Sequence, residues 1–158
     1  MAAANAGKQR LKYPLLSVYF RENFMTTLTG SCLCGQIAYK IEGQTTAFYH
    51  CHCLRCRKAT GTGHASNIRI KTSGIEWLKG DHLIKSYKVP EADRFKNDFC
   101  SECGAPLPRH FPNLGMVVLP AGTLDHEPDI SPEARIFCGS RSDWSCHDDI
   151  TAFNGYPE

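Results

Sequence analysis

The stretch Gly30-Ser31-Cys32-Leu33-Cys34-Gly35-Gln36-Ile37-Ala38-Tyr39-Lys40-Ile41-Glu42 decides how the chain is read. Two cysteines one residue apart, bracketed by glycines, run straight into a period-two pattern in which Ile37, Tyr39 and Ile41 alternate with Gln36, Lys40 and Glu42. Such alternation places three apolar side chains on one face of a strand. The Cys-x-Cys pair ahead of it reads as a turn that aims two sulfurs at one point about 2.3 Å away, the bond length of zinc to thiolate.

Working outward, two further groups repeat the theme: Cys51-His52-Cys53-Leu54-Arg55-Cys56 and Cys100-Ser101-Glu102-Cys103. Cysteines this close rarely meet the geometry of a disulfide with one another, whereas a turn delivers them together to a metal. Gly35 and Gly104 follow two of the groups, as a zinc knuckle requires, because glycine admits the tight turn that faces amide hydrogens toward thiolates. One tetrahedral site needs four sulfurs, and Cys32 and Cys34 with Cys100 and Cys103 make such a set. It closes a long loop, which suits a structural zinc. Cys51, Cys53 and Cys56 are left as three thiolates with a fourth position open to water or an exogenous thiol, the pattern of catalytic zinc sites. Competing readings stand beside this one: the triplet is partly oxidised, or empty, or helps to hold the first metal, or is closed by His50 or His52.

Composition agrees with metal binding in a reducing compartment. Nine cysteines among 158 residues is a large excess that fits either a secreted disulfide scaffold or metal sites. The odd count and an N-terminal region without a convincing signal peptide favour the second, and point to a cytoplasmic protein. No run approaches the ~20 apolar residues of a membrane helix. A net charge of +2 with 22% charged residues does not suggest a nucleic-acid or membrane-surface binder.

Residues 1–25 read as a leader or flexible extension, and residues 26–158 as one zinc-binding domain. The domain reads as mainly β: short antiparallel strands punctuated by Gly, Pro and Asp turns. Beyond the first strand the candidates are a second strand delivering Phe48 and Tyr49, then 65–70, 83–89, 96–99, 116–119 and 135–138. One short helix is expected over 54–60, ended by Gly61. Cys138 falls in the last strand candidate and reads as a buried small hydrophobe. Cys146 receives no role.

Gly30-Ser-Cys-Leu-Cys-Gly35, His50-Cys-His-Cys-Leu-Arg-Cys-Arg57, Phe99-Cys-Ser-Glu-Cys-Gly104 and Ala121-Gly-Thr-Leu-Asp125 together resemble the glutathione-dependent formaldehyde-activating enzyme family, which also includes centromere protein V. Trp77-Leu-Lys-Gly80, Tyr87, Ile136-Phe137 and Trp144 fit the same pattern. The resemblance implies a zinc-stabilised complex β fold like that of the Rab-exchange-factor suppressor proteins. It also implies a structural zinc on Cys32, Cys34, Cys100 and Cys103, and a second zinc on Cys51, Cys53 and Cys56 that engages a small thiol, glutathione, and a small aldehyde, formaldehyde. The implied activity is condensation of the two to S-hydroxymethylglutathione, a carbon-sulfur lyase reaction in reverse. The chain departs from the family pattern in a shorter C-terminal stretch and in Arg135, where many relatives carry a histidine.

A fourth thiolate on a zinc already held by three raises its negative charge, so cations are needed nearby. Arg55, Arg57 and Lys58 stand close enough in sequence to supply them, or to meet the carboxylates of glutathione, though a solvated basic turn is an equal reading. Proton transfer to the product alkoxide falls to His50, His52 or His64, with His64 ranked last. Two rival classes remain: a non-catalytic zinc scaffold and a thiol redox sensor.

Overall fold

A computed structural model describes residues 25–146. Its elements in chain order are β1 (Met25–Ser31), β2 (Ala38–Cys51), α1 (Leu54–Thr60), β3 (Ala65–Lys71), β4 (Glu76–Lys79), β5 (Ile84–Lys88), β6 (Lys96–Cys100), β7 (Arg109–Phe111), β8 (Met116–Pro120) and β9 (Ala134–Ile136). The fold is therefore mainly β, as the alternation and turn punctuation predict. Apart from Met25, which opens β1, the N-terminal extension lies outside the described residues. Among those residues no helix is long and apolar enough to cross a membrane.

The organising element is β2. Instead of the two strands expected from the sequence, one strand of 14 residues runs from the first cysteine pair to the second group. Its first half pairs antiparallel with β1 on one edge and β4 on the other. Its second half pairs antiparallel with β3 and, across 49–51, in parallel with β9. The sheet continues from β3 through β8 to β7, while β5 and β6 form a separate hairpin.

The register of β2 against β3 shifts between Thr45 and Ala47. A bulge of one residue changes which parity of positions faces the core. Before it Tyr39 and Ile41 point inward, and after it Phe48 joins them, packed with Ile68, Ile70, Val117 and Leu119. The switch leaves Cys51 on the opposite face, where it meets Cys56 and Ala65 in a core cluster of its own. A third cluster gathers Cys32, Ile37, Cys100 and Leu107. Two of the three cores thus contain candidate metal ligands, as a small β domain with limited apolar area would need.

Three strands lay outside the sequence reading. β1 (MTTLTGS), β4 (EWLK) and β7 (RHF) carry too few apolar residues to show alternation, and each is held by its neighbours' unpaired backbone groups. The final strand is shorter than expected: it ends at Ile136, and Phe137 turns the chain away with a left-handed φ of 56°. Cys138 consequently lies exposed in a 3₁₀ turn spanning Cys138–Ser140, and is not the buried hydrophobe expected of it.

Candidate metal centres

The two ends of a 68-residue separation meet at the first cluster. The Sγ atoms of Cys32, Cys34, Cys100 and Cys103 all lie within 4.8 Å of one another. Each pair sits on a tight turn closed by a glycine: the Gly35 amide donates three residues back to the Cys32 carbonyl at 2.9 Å and the Gly104 amide four residues back to the Cys100 carbonyl at 2.9 Å, with φ of +71° and +72°. The knuckle folds this way because glycine takes the left-handed conformation without steric cost. The Ile37 amide donates to Cys32 Sγ at 3.2 Å, as a knuckle amide does toward a thiolate.

The sulfur spacings fit a metal and not a disulfide. Cys32 and Cys34 are 3.4 Å apart and Cys34 and Cys100 3.9 Å, bracketing the edge of about 3.8 Å that a tetrahedron of zinc-thiolate bonds requires. All nine cysteines are free thiols.

The second cluster unites Cys51, Cys53 and Cys56, again within 4.8 Å. Cys51 ends β2, Cys53 caps α1 and Cys56 lies in its first turn, so one strand-to-helix junction presents all three. Cys53 Sγ accepts the Cys56 amide at 3.4 Å. The helix spans Leu54–Thr60 with Gly61 left-handed behind it, as expected from the sequence.

Electrostatics within each cluster is that of several thiols sharing too few protons. The thiol of Cys56, followed by the Cys53 amide, draws Cys51 down to about 6 against the opposing effect of burial. Cys56 is pushed far up, chiefly by that same partner. In the first cluster the amides of Ala105 and Cys34 bring Cys103 down to about 6. The Gln36 amide favours a thiolate at Cys34, yet the surrounding sulfurs, led by Cys32, push it up to about 12. Cys32 ends lowered: burial opposes ionisation, and the Ile37 amide and neighbouring thiols outweigh it. A divalent cation at either centre removes this conflict by stabilising every thiolate at once.

A pH dependence follows with a definite sign. At pH 7 the metal-free protein holds Cys51 and Cys103 as thiolates, while Cys34 and Cys56 keep protons that zinc must displace. Each centre therefore releases at least one proton on binding, and apparent zinc affinity rises by about one decade per pH unit for each proton released. Below pH 6 Cys51 and Cys103 protonate as well, and the dependence steepens. Chelator competition between pH 5 and 8 measures the slope; a flat profile would contradict thiolate ligation.

Both clusters open on one cleft of about 670 Å³, whose walls include Cys32 and Cys56. Among the described residues lining it, the only lysine or arginine is Arg109, 8% exposed, which donates to Asn67 Oδ1 at 3.0 Å and leaves its Nε without a partner. Burial lowers its pKa, and the negative potential of Cys56, Asp98, Cys51 and Cys53 opposes that effect. Sequence reading passed over Arg109 because it sits in β7, a strand of three residues far along the chain from Cys51, Cys53 and Cys56. The cations that reading preferred lie elsewhere. Arg55 and Lys58 are exposed, and Arg57 donates to the Ser140 carbonyl at 2.7 Å and to Ser142 Oγ.

The histidines divide in the same way. His52 is fully buried, with Nδ1 3.1 Å from the Gly63 carbonyl. His64 lines the cleft and stacks on His50 with ring centroids 4.2 Å apart. Burial leads in lowering both, with Arg135 and His52 adding at His50, and His50, His52 and Arg135 adding at His64.

The family model for the glutathione-dependent formaldehyde-activating enzyme matches residues 27–140. The chain belongs to that family. Its match spans both cysteine clusters, the whole of the large sheet except the first two residues of β1, and the β5–β6 hairpin. No curated protein matches the chain significantly. A Rhodobacter sphaeroides protein of known crystal structure is similar in fold, with a TM-score of 0.51 at 19% identity over 68% of this chain and 98% of that one. The fold of this family member is thus one already seen in a crystal.

Proposed function

We propose that this protein is a zinc-dependent carbon-sulfur lyase that joins glutathione, or a similar small thiol, to formaldehyde or another small aldehyde. The observation that carries the reading is that Cys56, clustered with Cys51 and Cys53, lines a cleft of ligand size together with the buried guanidinium of Arg109. Family membership supplies the substrate class. The other four cysteines hold a structural zinc in this reading, and the reduced thiols suit a cytoplasmic setting.

A zinc ion on Cys51, Cys53 and Cys56 would supply a Lewis acid that lowers the pKa of a thiol entering the cleft. Three protein thiolates already carry more negative charge than the ion's two positive ones, so a further thiolate is held only if a cation compensates. Arg109 does this from a buried position, where screening by water is weak and where the thiols of Cys56, Cys51 and Cys53 already act on its guanidinium. The thiolate adds to the aldehyde carbon, a carbon-sulfur bond forms, and the π pair of the carbonyl moves to oxygen. The thiol proton ends on that oxygen, so the reaction consumes and releases none overall.

Cobalt-substituted protein tests the reading. Glutathione is expected to shift the visible bands of the bound cobalt, and Arg109→Gln to weaken that response by about ten- to a hundredfold, the worth of a charge-assisted hydrogen bond. A single zinc per chain with no spectral response to glutathione would favour the non-catalytic scaffold instead.

A further inference from the structure

Cys146, to which the sequence reading gave no role, lies against His52 and His64. The ligand atoms of His52, His64 and Cys146 fall within 4.8 Å of one another, and Cys146 Sγ stands 3.8 Å from His52 Nε2. We propose that these three residues form a third metal site, distinct from both cysteine clusters, for a divalent ion of the zinc class.

Four features argue for it. First, the donor set is one thiolate and two imidazoles, a combination that suits zinc and its neighbours and not magnesium or calcium. Second, the contact to the Gly63 carbonyl orients the histidine. A carbonyl only accepts, so Nδ1 carries the hydrogen and Nε2 presents its lone pair toward Cys146. Third, the spacing is close: bonds of about 2.0 Å to nitrogen and 2.3 Å to sulfur at a tetrahedral angle put the two donor atoms about 3.5 Å apart. Fourth, His52 is fully buried, so its orientation is fixed by packing before any ion arrives.

The donors come from three separate stretches. His52 leads into α1, His64 precedes β3 and Cys146 belongs to the segment after β9. That segment is already seated on the α1–β3 loop. Arg57 donates to Ser140 and Ser142, and Ser145 is buried so close to Gly63 that a Cβ there would collide with its side chain. A bound ion would lock this approach and thereby brace the junction that presents Cys51, Cys53 and Cys56. Among the described residues three donors converge, which leaves the fourth coordination position to water or another small ligand.

The test is metal stoichiometry by elemental analysis of the full chain, loaded with zinc and freed of excess. Wild type is expected to bind three equivalents, and Cys146→Ser and His64→Gln two each. Cys53→Ser is also expected to bind two, and the double variant Cys53→Ser with Cys146→Ser one. Loss at Cys146 independent of loss at Cys53 separates this site from the triplet, so it stands or falls apart from the lyase reading. Circular dichroism reports whether each variant folds, and His64→Gln decides if the cysteine variant does not. An unchanged count in both variants overturns the proposal, as does a double variant that binds no less than Cys53→Ser alone.

Discussion

Replacing Cys100 with serine is expected to abolish folding. Cys100 is fully buried, sits at the end of β6 and contributes to a small core of which Cys32 is another member. Its substitution removes one of the four sulfurs proposed to share a zinc ion between the β5–β6 hairpin and the turn before β2. A structural zinc on thiolates contributes about 10–16 kcal/mol at pH 7, against about 5–15 kcal/mol of total stability for a domain. The loss of even half of the metal's contribution therefore exceeds what such a fold can spare. Near-ultraviolet circular dichroism and amide dispersion measure the outcome, with zinc added. A Cys100→Ser protein that unfolds cooperatively within a few degrees of wild type would remove the structural assignment. Cys34→Ser makes a graded comparison, since Cys34 is exposed and its loss leaves no buried cavity.

Replacing Cys53 with serine is expected to do the reverse: the fold survives and activity does not. Cys53 is the N-cap of α1, and serine is among the preferred N-cap residues, so the helix keeps the side-chain acceptor it now takes from sulfur. Cys53 is also only half-buried, and the change opens little space. What serine cannot supply is a thiolate at neutral pH. One zinc equivalent should be lost, and thiol-aldehyde condensation should fall by a factor on the order of 10³, several kcal/mol of metal-derived stabilisation. Zinc content, melting temperature and initial rates in the same preparation test all three parts. Retention of the rate with the metal gone would show that the chemistry lies elsewhere.

The contrast between these variants shows how much of the protein is legible without coordinates. The helix is read correctly to its last residue because Gly61, a local signal, stops it. β3, with apolar residues alternating at 68 and 70, and β8, a short continuous apolar run, are legible for the same reason. β1, β4 and β7 are not, since their own residues carry too little alternation and pairing with neighbouring strands decides their conformation. The single length of β2 is hidden by its bulge, which interrupts the alternation at Thr45 and makes one strand resemble two. Cys138 misleads because a local apolar run says nothing of the left-handed turn at Phe137 that carries it outward.

By itself, then, the order of residues determined the grouping of seven cysteines and the β character of the chain. Both depend on neighbours within a few positions, where turn geometry and side-chain alternation are set by the local backbone. Only the tertiary structure decided which face of β2 carries Cys51, that Arg109 is the cation beside the thiol triplet, and that Cys146 reaches His52 across 94 residues. Those contacts join stretches with no local reason to meet. They come together because burying the sheet's apolar face brings the strands that bear them into register, and no spacing along the chain records that.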